Sequence, residues 1–307
     1  MQGNREKYRD HRRRRMRRRS RRAYIRSVYF LPSLATLGNA ICGLAAMYVV
    51  MMDPQNVGND PIAVLLAKNK FLAASYLIFA AMVFDALDGR LARWTRHTTD
   101  FGGQLDSLAD VISFGAAPAM IVLALLKHEL PVETPLFISR LIWAIGAVYM
   151  SCAAIRLARF NTSNEHGEQH HMSFLGLPSP GAAAAVTGLV FIQRELAYRS
   201  AVHDYTILQF IHAFVTFSLP VFLLTFGLLM VSHFRYGHLV NRYLRGRQRI
   251  GKLVLAVAVV GLLVVAHRYT IGVAALLYAL SAPVIGIWTR YFRSSVPLRP
   301  VDGELIK

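Results

Sequence analysis

Long apolar stretches, each close to the length needed to cross a lipid bilayer, alternate with short polar segments along the 307-residue chain. A helix needs roughly 20 mainly apolar residues to span the hydrocarbon core of a membrane. Eight stretches fit, and they cover residues 31–51, 71–89, 105–126, 137–157, 178–198, 208–231, 251–267 and 270–289. The pattern predicts an all-α fold, a polytopic membrane bundle of about eight transmembrane helices.

The composition supports a membrane protein over a soluble one. Hydrophobic residues make up 54% of the chain, yet its formal net charge is +18. A single soluble core gives no reason for that combination, whereas a membrane protein keeps its charges between the spans. Both cysteines, Cys42 and Cys152, fall inside predicted spans. We expect them to be free thiols that pack as small apolar side chains.

The first 26 residues form a strongly basic arm. They hold thirteen Lys and Arg residues against two acids, Glu6 and Asp10. Beside a membrane span, such an arm is expected to bind anionic lipid head groups, with about 1 kcal/mol from each basic residue. Contact with RNA or a ribosome is the alternative for this composition, although nucleic acid is not the partner we predict.

The basic segments also predict the orientation of the chain. Lys and Arg are enriched in the cytoplasmic loops of membrane proteins. We therefore predict an integral protein of the cytoplasmic (inner) membrane, with its N-terminus, the loop 232–250 and the tail 290–307 in the cytoplasm. The linker RWTRHTTDFGG between spans two and three falls on the same side.

Four aspartates interrupt the apolar pattern beside this linker. Asp85 and Asp88 are three residues apart near the end of span two, and Asp106 and Asp110 are four apart at the start of span three. Each spacing places a pair on one helical face. The short linker makes the two helices antiparallel neighbours, so the pairs can converge. Converging carboxylates near hydrocarbon require cations, and oxygen ligands suit Mg²⁺, Mn²⁺ or Ca²⁺.

Two glycines, Gly89 and Gly102, lie inside the aspartate pattern. Glycine at such a place indicates either close approach of a ligand to the backbone or tight packing between helices. The residues alone also leave open a cation channel or transporter that uses the aspartates as its ion site.

The combination Asp85-x2-Asp88-Gly89-x2-Ala92-Arg93-x8-Gly102-x3-Asp106-x3-Asp110 resembles the complete signature of the CDP-alcohol phosphatidyltransferase family. Enzymes of this family use two divalent metal ions and displace CMP from a CDP-linked lipid by attack of an alcohol on the β-phosphorus. The resemblance implies that all four aspartates hold Mg²⁺ or Mn²⁺ and that Asp110 is also the general base. It implies nucleotide-binding roles for Gly89, Ala92, Arg93 and Gly102.

Span one carries a second part of the resemblance. The stretch LPSLATLGNAICG is similar to a family motif at Pro32, Thr36, Asn39 and Gly43, and Ser33 stands where the family usually has asparagine. Thr36 and Asn39 are candidates for nucleotide contact. For Asn39, a hydrogen bond between helices is the alternative.

Three further stretches resemble the integral-membrane phosphatidylserine synthase branch of the family. They are DSLADVISFGAAPA, IRLARFN and FLGLPSPGAAA. This branch implies CDP-diacylglycerol as donor and L-serine as acceptor. Arg156, Arg159 and Asn161 become candidates for binding serine or phosphate, because the planar guanidinium suits both a carboxylate and a phosphate. Pro178 and Pro180 are expected to begin a helix. Glycerol phosphate, inositol phosphate or another alcohol is the alternative acceptor.

The resemblance gives names to the predicted segments. The chain is expected to divide into a basic cytoplasmic arm with a juxtamembrane helix at 1–30, a six-span family core at 31–231, a basic cytoplasmic loop at 232–250, two additional spans at 251–289 and a cytoplasmic tail at 290–307. Members of the family are commonly homodimers, so a homodimer is expected.

Overall fold

A computed structural model of the chain describes residues 34–56, 58, 60–95, 100–131, 133–165, 176–203, 205–234, 236 and 250–292. The basic arm, most of the loop 232–250 and nearly all of the tail lie outside these residues. The described helices are α1 (Leu34–Met51), α2 (Pro61–Lys68), α3 (Lys70–Thr95), α4 (Asp100–Asp110), α5 (Ala117–Glu129), α6 (Leu136–Glu165), α7 (Ser179–Val202), α8 (Thr206–Val231) and α9 (Ile250–Phe292).

The predicted all-α membrane bundle is confirmed. Among the described residues there is no strand, and six helical stretches are long and apolar enough to cross a membrane. These stretches are Leu34–Met51, Lys70–Leu91, Phe101–Glu129, Leu136–Thr162, Thr206–Val231 and Ala266–Gly286. Cys42 and Cys152 are free thiols, as predicted.

Helix α7 occupies the centre of the bundle. It corresponds to the predicted span 178–198 but is too weakly hydrophobic to count among the six stretches. The helix packs against α3, α8 and α9, and buries a row of small residues, among them Ala182, Ala183 and Ala185. A helix surrounded by other helices does not need large lipid-facing side chains, so small residues that allow close packing suffice.

The end of the chain differs in detail from the prediction of separate spans at 251–267 and 270–289. The structure has helical residues throughout α9, interrupted by one non-helical residue, Ala266. The break therefore lies at Ala266, earlier than the predicted break at residues 268–269. At one crossing of α9 with α7, Gly272 and Gly188 approach so closely that a Cβ on Gly272 would lie 2.6 Å from the carbonyl oxygen of Gly188.

The linker between the two aspartate-bearing helices is shorter than predicted. Helix α3 continues to Thr95 and α4 begins at Asp100, so both extend into the stretch RWTRHTTDFGG. Hydropathy marks where a helix leaves the hydrocarbon, whereas the helix itself can continue with polar residues in the head-group region.

A π-helical segment at Val111–Ala116 separates α4 from α5. The sequence contains a reason for irregularity here, because Pro118 has no N–H to donate to the carbonyl of Phe114 four residues earlier. The hydroxyl of Tyr149 on α6 donates to that carbonyl at 3.1 Å. π-Helical turns are frequent beside functional sites, and this one directly follows Asp110.

The segment before α7 depends on Gly176. This residue has a φ of +85°, and its N–H donates to the carbonyl of Phe234 at 2.8 Å. A Cβ at this position would collide with the carbonyl oxygen of Met230. As predicted, the prolines begin the helix: Pro178 precedes its first residue and Pro180 lies in its first turn.

Substituting Gly176 with alanine is expected to destabilise the protein by about 3 kcal/mol or more, because strain at positive φ adds to a backbone collision. In a protein of this size, that corresponds to a fall in Tm of roughly 6–12 °C, measured by thermal unfolding in detergent. The control is Gly103→Ala, since a Cβ at Gly103 meets nothing within 4 Å. Equal Tm values for the two variants would contradict the packing role of Gly176.

Candidate active site and metal centre

Three of the four predicted aspartates converge where α3 and α4 meet. Asp85, Asp106 and Asp110 each offer a carboxylate oxygen, and these oxygens all lie within 4.8 Å of one another. Asp85 belongs to α3 and the other two to α4, so the antiparallel pairing predicted from the short linker brings them together. Three carboxylates this close repel one another and need a cation between them.

Helix α1 holds two of the carboxylates in place. The hydroxyl of Thr36 donates a hydrogen bond to Asp88, the fourth aspartate, which lies beside the cluster. The amide nitrogen of Asn39 donates to Asp110 at 3.0 Å, and the Asn39 side chain is fully buried. The interhelical hydrogen bond considered for Asn39 is therefore present, and nucleotide contact by Thr36 and Asn39 stays a prediction.

The same face of α1 packs directly on the π-helical segment. Ser113 donates to the backbone carbonyl of Asn39 at 2.8 Å. A Cβ on Gly43 would lie 2.5 Å from the hydroxyl oxygen of Ser113, so only glycine fits there. The glycine of the span-one motif thus brings α1 close enough for Asn39 to reach Asp110.

Arg156 on α6 provides the positive charge beside the carboxylates. Its charge interacts with those of Asp110 and Asp85, and one of its terminal nitrogens donates to the hydroxyl of Ser179 at 2.7 Å. The Nε atom of Arg156 is buried and has no hydrogen-bond partner in the described part of the chain. A buried donor without a partner is costly, and a bound anion would satisfy it.

The other two predicted acceptor residues lie close by but have different partners. Arg159 donates to the carbonyl of Val231 at the end of α8, at 3.3 Å. The amide nitrogen of Asn161 donates to the hydroxyl of Ser107 at 2.9 Å, which connects α6 to α4. The structure therefore brings Arg156 to the aspartates, while the hydrogen bonds of Arg159 and Asn161 connect helices around them.

The two glycines of the signature, Gly89 and Gly102, have different surroundings in the structure. A Cβ on Gly89 would meet nothing within 4 Å, so tight helix packing does not explain this glycine. Gly102 lies in the first turn of α4, half-buried, near the cluster. Ala92 and Arg93 continue α3 beyond Gly89, and their side chains lie outside what the structure describes.

Sequence reasoning missed three serines that shape the site, namely Ser107, Ser113 and Ser179. Each acts through a hydrogen bond to another helix, at 2.7–2.9 Å. Serine is common at such interhelical contacts in membrane proteins. A serine in the sequence does not by itself indicate such a contact, which becomes visible only when the partner helix is placed.

The donor set fits a divalent metal ion. The converging ligands are carboxylate oxygens, which hard cations such as Mg²⁺ and Mn²⁺ prefer. A buried oxygen of the Asn39 side chain, Oδ1, has no hydrogen-bond partner among the described residues. Three of the four aspartates predicted from the spacing thus form a cluster that could hold an ion.

Comparisons with known proteins agree with the geometry. The sequence model of the CDP-alcohol phosphatidyltransferase family matches residues 29–217. A protein of Helicobacter pylori named CDP-diacylglycerol–serine O-phosphatidyltransferase is 30% identical over 212 residues, which cover 69% of this chain and 73% of the relative.

Relatives with the same name occur in distant organisms. The Methanocaldococcus jannaschii protein is 33% identical over 195 residues, covering 64% of this chain and 74% of its own. The Bacillus subtilis protein is 32% identical over 163 residues, covering 53% and 76%. The family match spans more than half of the chain and contains the whole aspartate signature. The chain therefore belongs to the CDP-alcohol phosphatidyltransferase family.

Proposed function

We propose that this protein transfers the phosphatidyl group of CDP-diacylglycerol to the hydroxyl group of L-serine, giving phosphatidylserine and CMP. The observation that carries the proposal is the cluster of Asp85, Asp106 and Asp110 with the cationic Arg156 beside it. The cluster suits a diphosphate-bearing donor with its metal ions, and the arginine suits an acceptor that carries a carboxylate. The names of the relatives point to the same acceptor.

The four aspartates are proposed to hold two divalent ions, Mg²⁺ or Mn²⁺. When bound, these ions offset the charge of the diphosphate and stabilise the attacking and leaving oxygens. Asp85, Asp106 and Asp110 face one another, and Asp88 adds a carboxylate that Thr36 orients. Placing the acids on two helices lets the rigid backbone fix their spacing.

Asp110 is proposed to act as the general base. It accepts the proton of the serine hydroxyl while that oxygen forms a bond to the β-phosphorus, and the bond between the β-phosphorus and the CMP oxygen breaks. Asp110 is 7% exposed, and the hydrogen bond from Asn39 fixes its carboxylate. A fixed, nearly dry base needs little reorganisation when the proton moves.

Arg156 is proposed to bind the carboxylate of serine. Ser179 accepts a hydrogen bond from one end of its guanidinium, and the buried Nε–H, which has no partner among the described residues, can donate to the ligand. Arg159 and Asn161 would complete this side of the site. The nucleotide is assigned to the other side, where Gly89, Ala92, Arg93 and Gly102 are proposed to lie against CDP, together with Thr36 and Asn39.

Release of CMP by the purified protein tests the reaction. The full-length chain is incubated with CDP-diacylglycerol and Mn²⁺ or Mg²⁺, and L-serine, glycerol phosphate, inositol phosphate or no alcohol is added. Release that depends on L-serine and on the metal supports the proposal. Release with another alcohol would reassign the acceptor, and ion flux without any CMP release would favour an ion-conducting protein.

Exchanging Arg156 for lysine is expected to raise the KM for serine by roughly 30-fold with a smaller change in kcat. The planar fork is lost, which removes about 2 kcal/mol of charge-assisted hydrogen bonding. Steady-state kinetics with varied serine measures this effect. Arg140→Lys is the matched control, because Arg140 is exposed on the same helix. An unchanged KM for serine in the Arg156 variant would exclude the proposed contact.

The cellular setting follows from the same proposal. We place the protein in the cytoplasmic (inner) membrane, with the N-terminus and the active site facing the cytoplasm. The basic arm at 1–30 is proposed to contact anionic lipids, and the protein is proposed to form a homodimer. Positive charge in the arm and the loop 232–250 supports this orientation.

A further inference from the structure

A polar cavity lies at the end of the bundle opposite the aspartates. It has a volume of about 560 Å³ and is bordered by α3, α7 and α9 near Phe71, Arg194 and Arg268. Phe71 and Asp88 lie on the same helix, and the helical rise between them amounts to about 25 Å. The cavity is therefore separate from the proposed active site.

Positive charge dominates this cavity. Lys68, Arg194 and Arg268 line it, together with one carboxylate, that of Glu195. A purely structural ion cluster would balance its charges, whereas this lining has three cations for one acid.

The adjoining residues do not remove the excess. Arg194 pairs with Glu129 at 2.6 Å, while Arg268 and Arg199 both pair with Glu195 at 2.9 Å. Two carboxylates thus form ion pairs with three arginines. The Nε atom of Arg268 is buried and has no hydrogen-bond partner within the described part of the chain.

Two lysines add further positive charge. Lys68 is exposed at the cavity, and no described carboxylate lies within 4 Å of it. Lys70 donates to the carbonyl of Met52 at 3.1 Å and lies over the ring of Phe71. With the neighbouring Lys70, Arg199 and Glu129 counted as well, five cationic side chains and two carboxylates lie in and around the cavity, a net excess of three positive charges.

We propose that this cavity binds a phosphate group. Arginines held in place by carboxylates present their remaining N–H groups in a fixed fork that matches phosphate oxygens. Apolar side chains, among them Phe71 and Leu72, form part of the wall. The phosphate can come from the head group of an anionic lipid, whose glycerol and first carbons would contact this apolar part, or from free phosphate.

The site extends beyond the family core. Arg268 follows the last residue matched by the family model, residue 217, and comes from the additional helix α9. A bound phosphate would join α9 to α7 and to the start of α3. This gives the additional C-terminal helix a ligand-binding role that does not involve the transferase chemistry.

Thermal unfolding of the purified full-length chain in a neutral detergent tests the proposal. Short-chain phosphatidate, short-chain phosphatidylcholine and inorganic phosphate are titrated separately. Phosphatidate is expected to raise the Tm by about 3–5 °C, and phosphatidylcholine, which has no net charge, by much less. Protection by phosphatidate alone identifies a lipid head group, and equal protection by inorganic phosphate identifies the free anion.

Charge reversal at Lys68 supplies the decisive comparison. Lys68→Glu places a carboxylate at the cavity and should abolish the Tm gain, whereas Lys127→Glu makes the same change on an exposed residue at the same end of the bundle and should retain it. Equal gains in both variants, or an equal gain with phosphatidylcholine, would overturn the proposal. The experiment does not involve CMP release, so its outcome is independent of the proposed reaction.

Discussion

Replacing Asp110 with asparagine is expected to reduce CMP release by about 10³-fold or more while the protein stays folded. Asparagine has nearly the same shape as aspartate but cannot take up the proton of the attacking hydroxyl, a loss that alone costs about 10²–10⁴-fold. It also removes one negative charge from the group that faces Asp85 and Asp106. Steady-state release of CMP from CDP-diacylglycerol, with saturating L-serine, measures the effect.

The fold should survive this change because the neighbouring contact can be kept. The amide of Asn39 can still hydrogen-bond to the new amide oxygen, so thermal unfolding should change little. Raising the metal concentration should not restore activity, since the missing group is a base as well as a ligand. Asp53→Asn, in an exposed loop, is the control and should retain full activity. An active Asp110→Asn enzyme would remove Asp110 from the proposed role.

Replacing Gly89 with alanine is expected to lower CMP release by about 100-fold without destabilising the protein. A Cβ at this position meets no protein atom within 4 Å, and alanine favours a helix over glycine by about 1 kcal/mol, so the Tm should stay or rise. If CDP lies against the backbone here, the added methyl displaces it. A shift of about 1 Å in a reacting group can cost about 100-fold.

Gly103→Ala is the matched control for this prediction. A Cβ at Gly103 also meets nothing within 4 Å, and this glycine lies on α4 outside the signature. Both variants should be at least as stable as the parent chain, and only the Gly89 variant should lose activity. Full activity in Gly89→Ala would show that the backbone at Gly89 does not contact the nucleotide.

The sequence predicted the membrane helices well because the length of an apolar stretch shows directly whether a helix can cross the bilayer. Two predictions were less accurate because hydropathy reports which residues contact lipid, and this does not always coincide with the extent of a helix. Helix α7 is central and rich in small residues, so its low hydropathy reflects helix neighbours on several sides. Helix α3 ends at Thr95 and α4 begins at Asp100, so both helices extend beyond the apolar stretches, and hydropathy does not mark these ends.

For the site, spacing on one helix was sufficient to predict that the carboxylates lie close together, while the roles of the site residues stay predictions. Three- and four-residue intervals placed the aspartates on facing surfaces, and the structure groups Asp85, Asp106 and Asp110. Contacts between distant helices were beyond that reasoning. The hydrogen bond from Arg156 to Ser179 joins residues 23 apart, and the hydrogen bond from Asn39 to Asp110 joins residues 71 apart.

The sequence by itself determined the class of the protein, its membrane helices and the carboxylates of its site, because these depend on local hydropathy and on helical periodicity. The tertiary structure decided which oxygens face one another, why Gly43 must lack a side chain, and that Arg156 is the arginine beside the aspartates. It also revealed the basic cavity, whose residues come from segments as distant as Lys68 and Arg268. Such proximities follow from how helices pack, and packing depends on the shape of every neighbouring side chain at once.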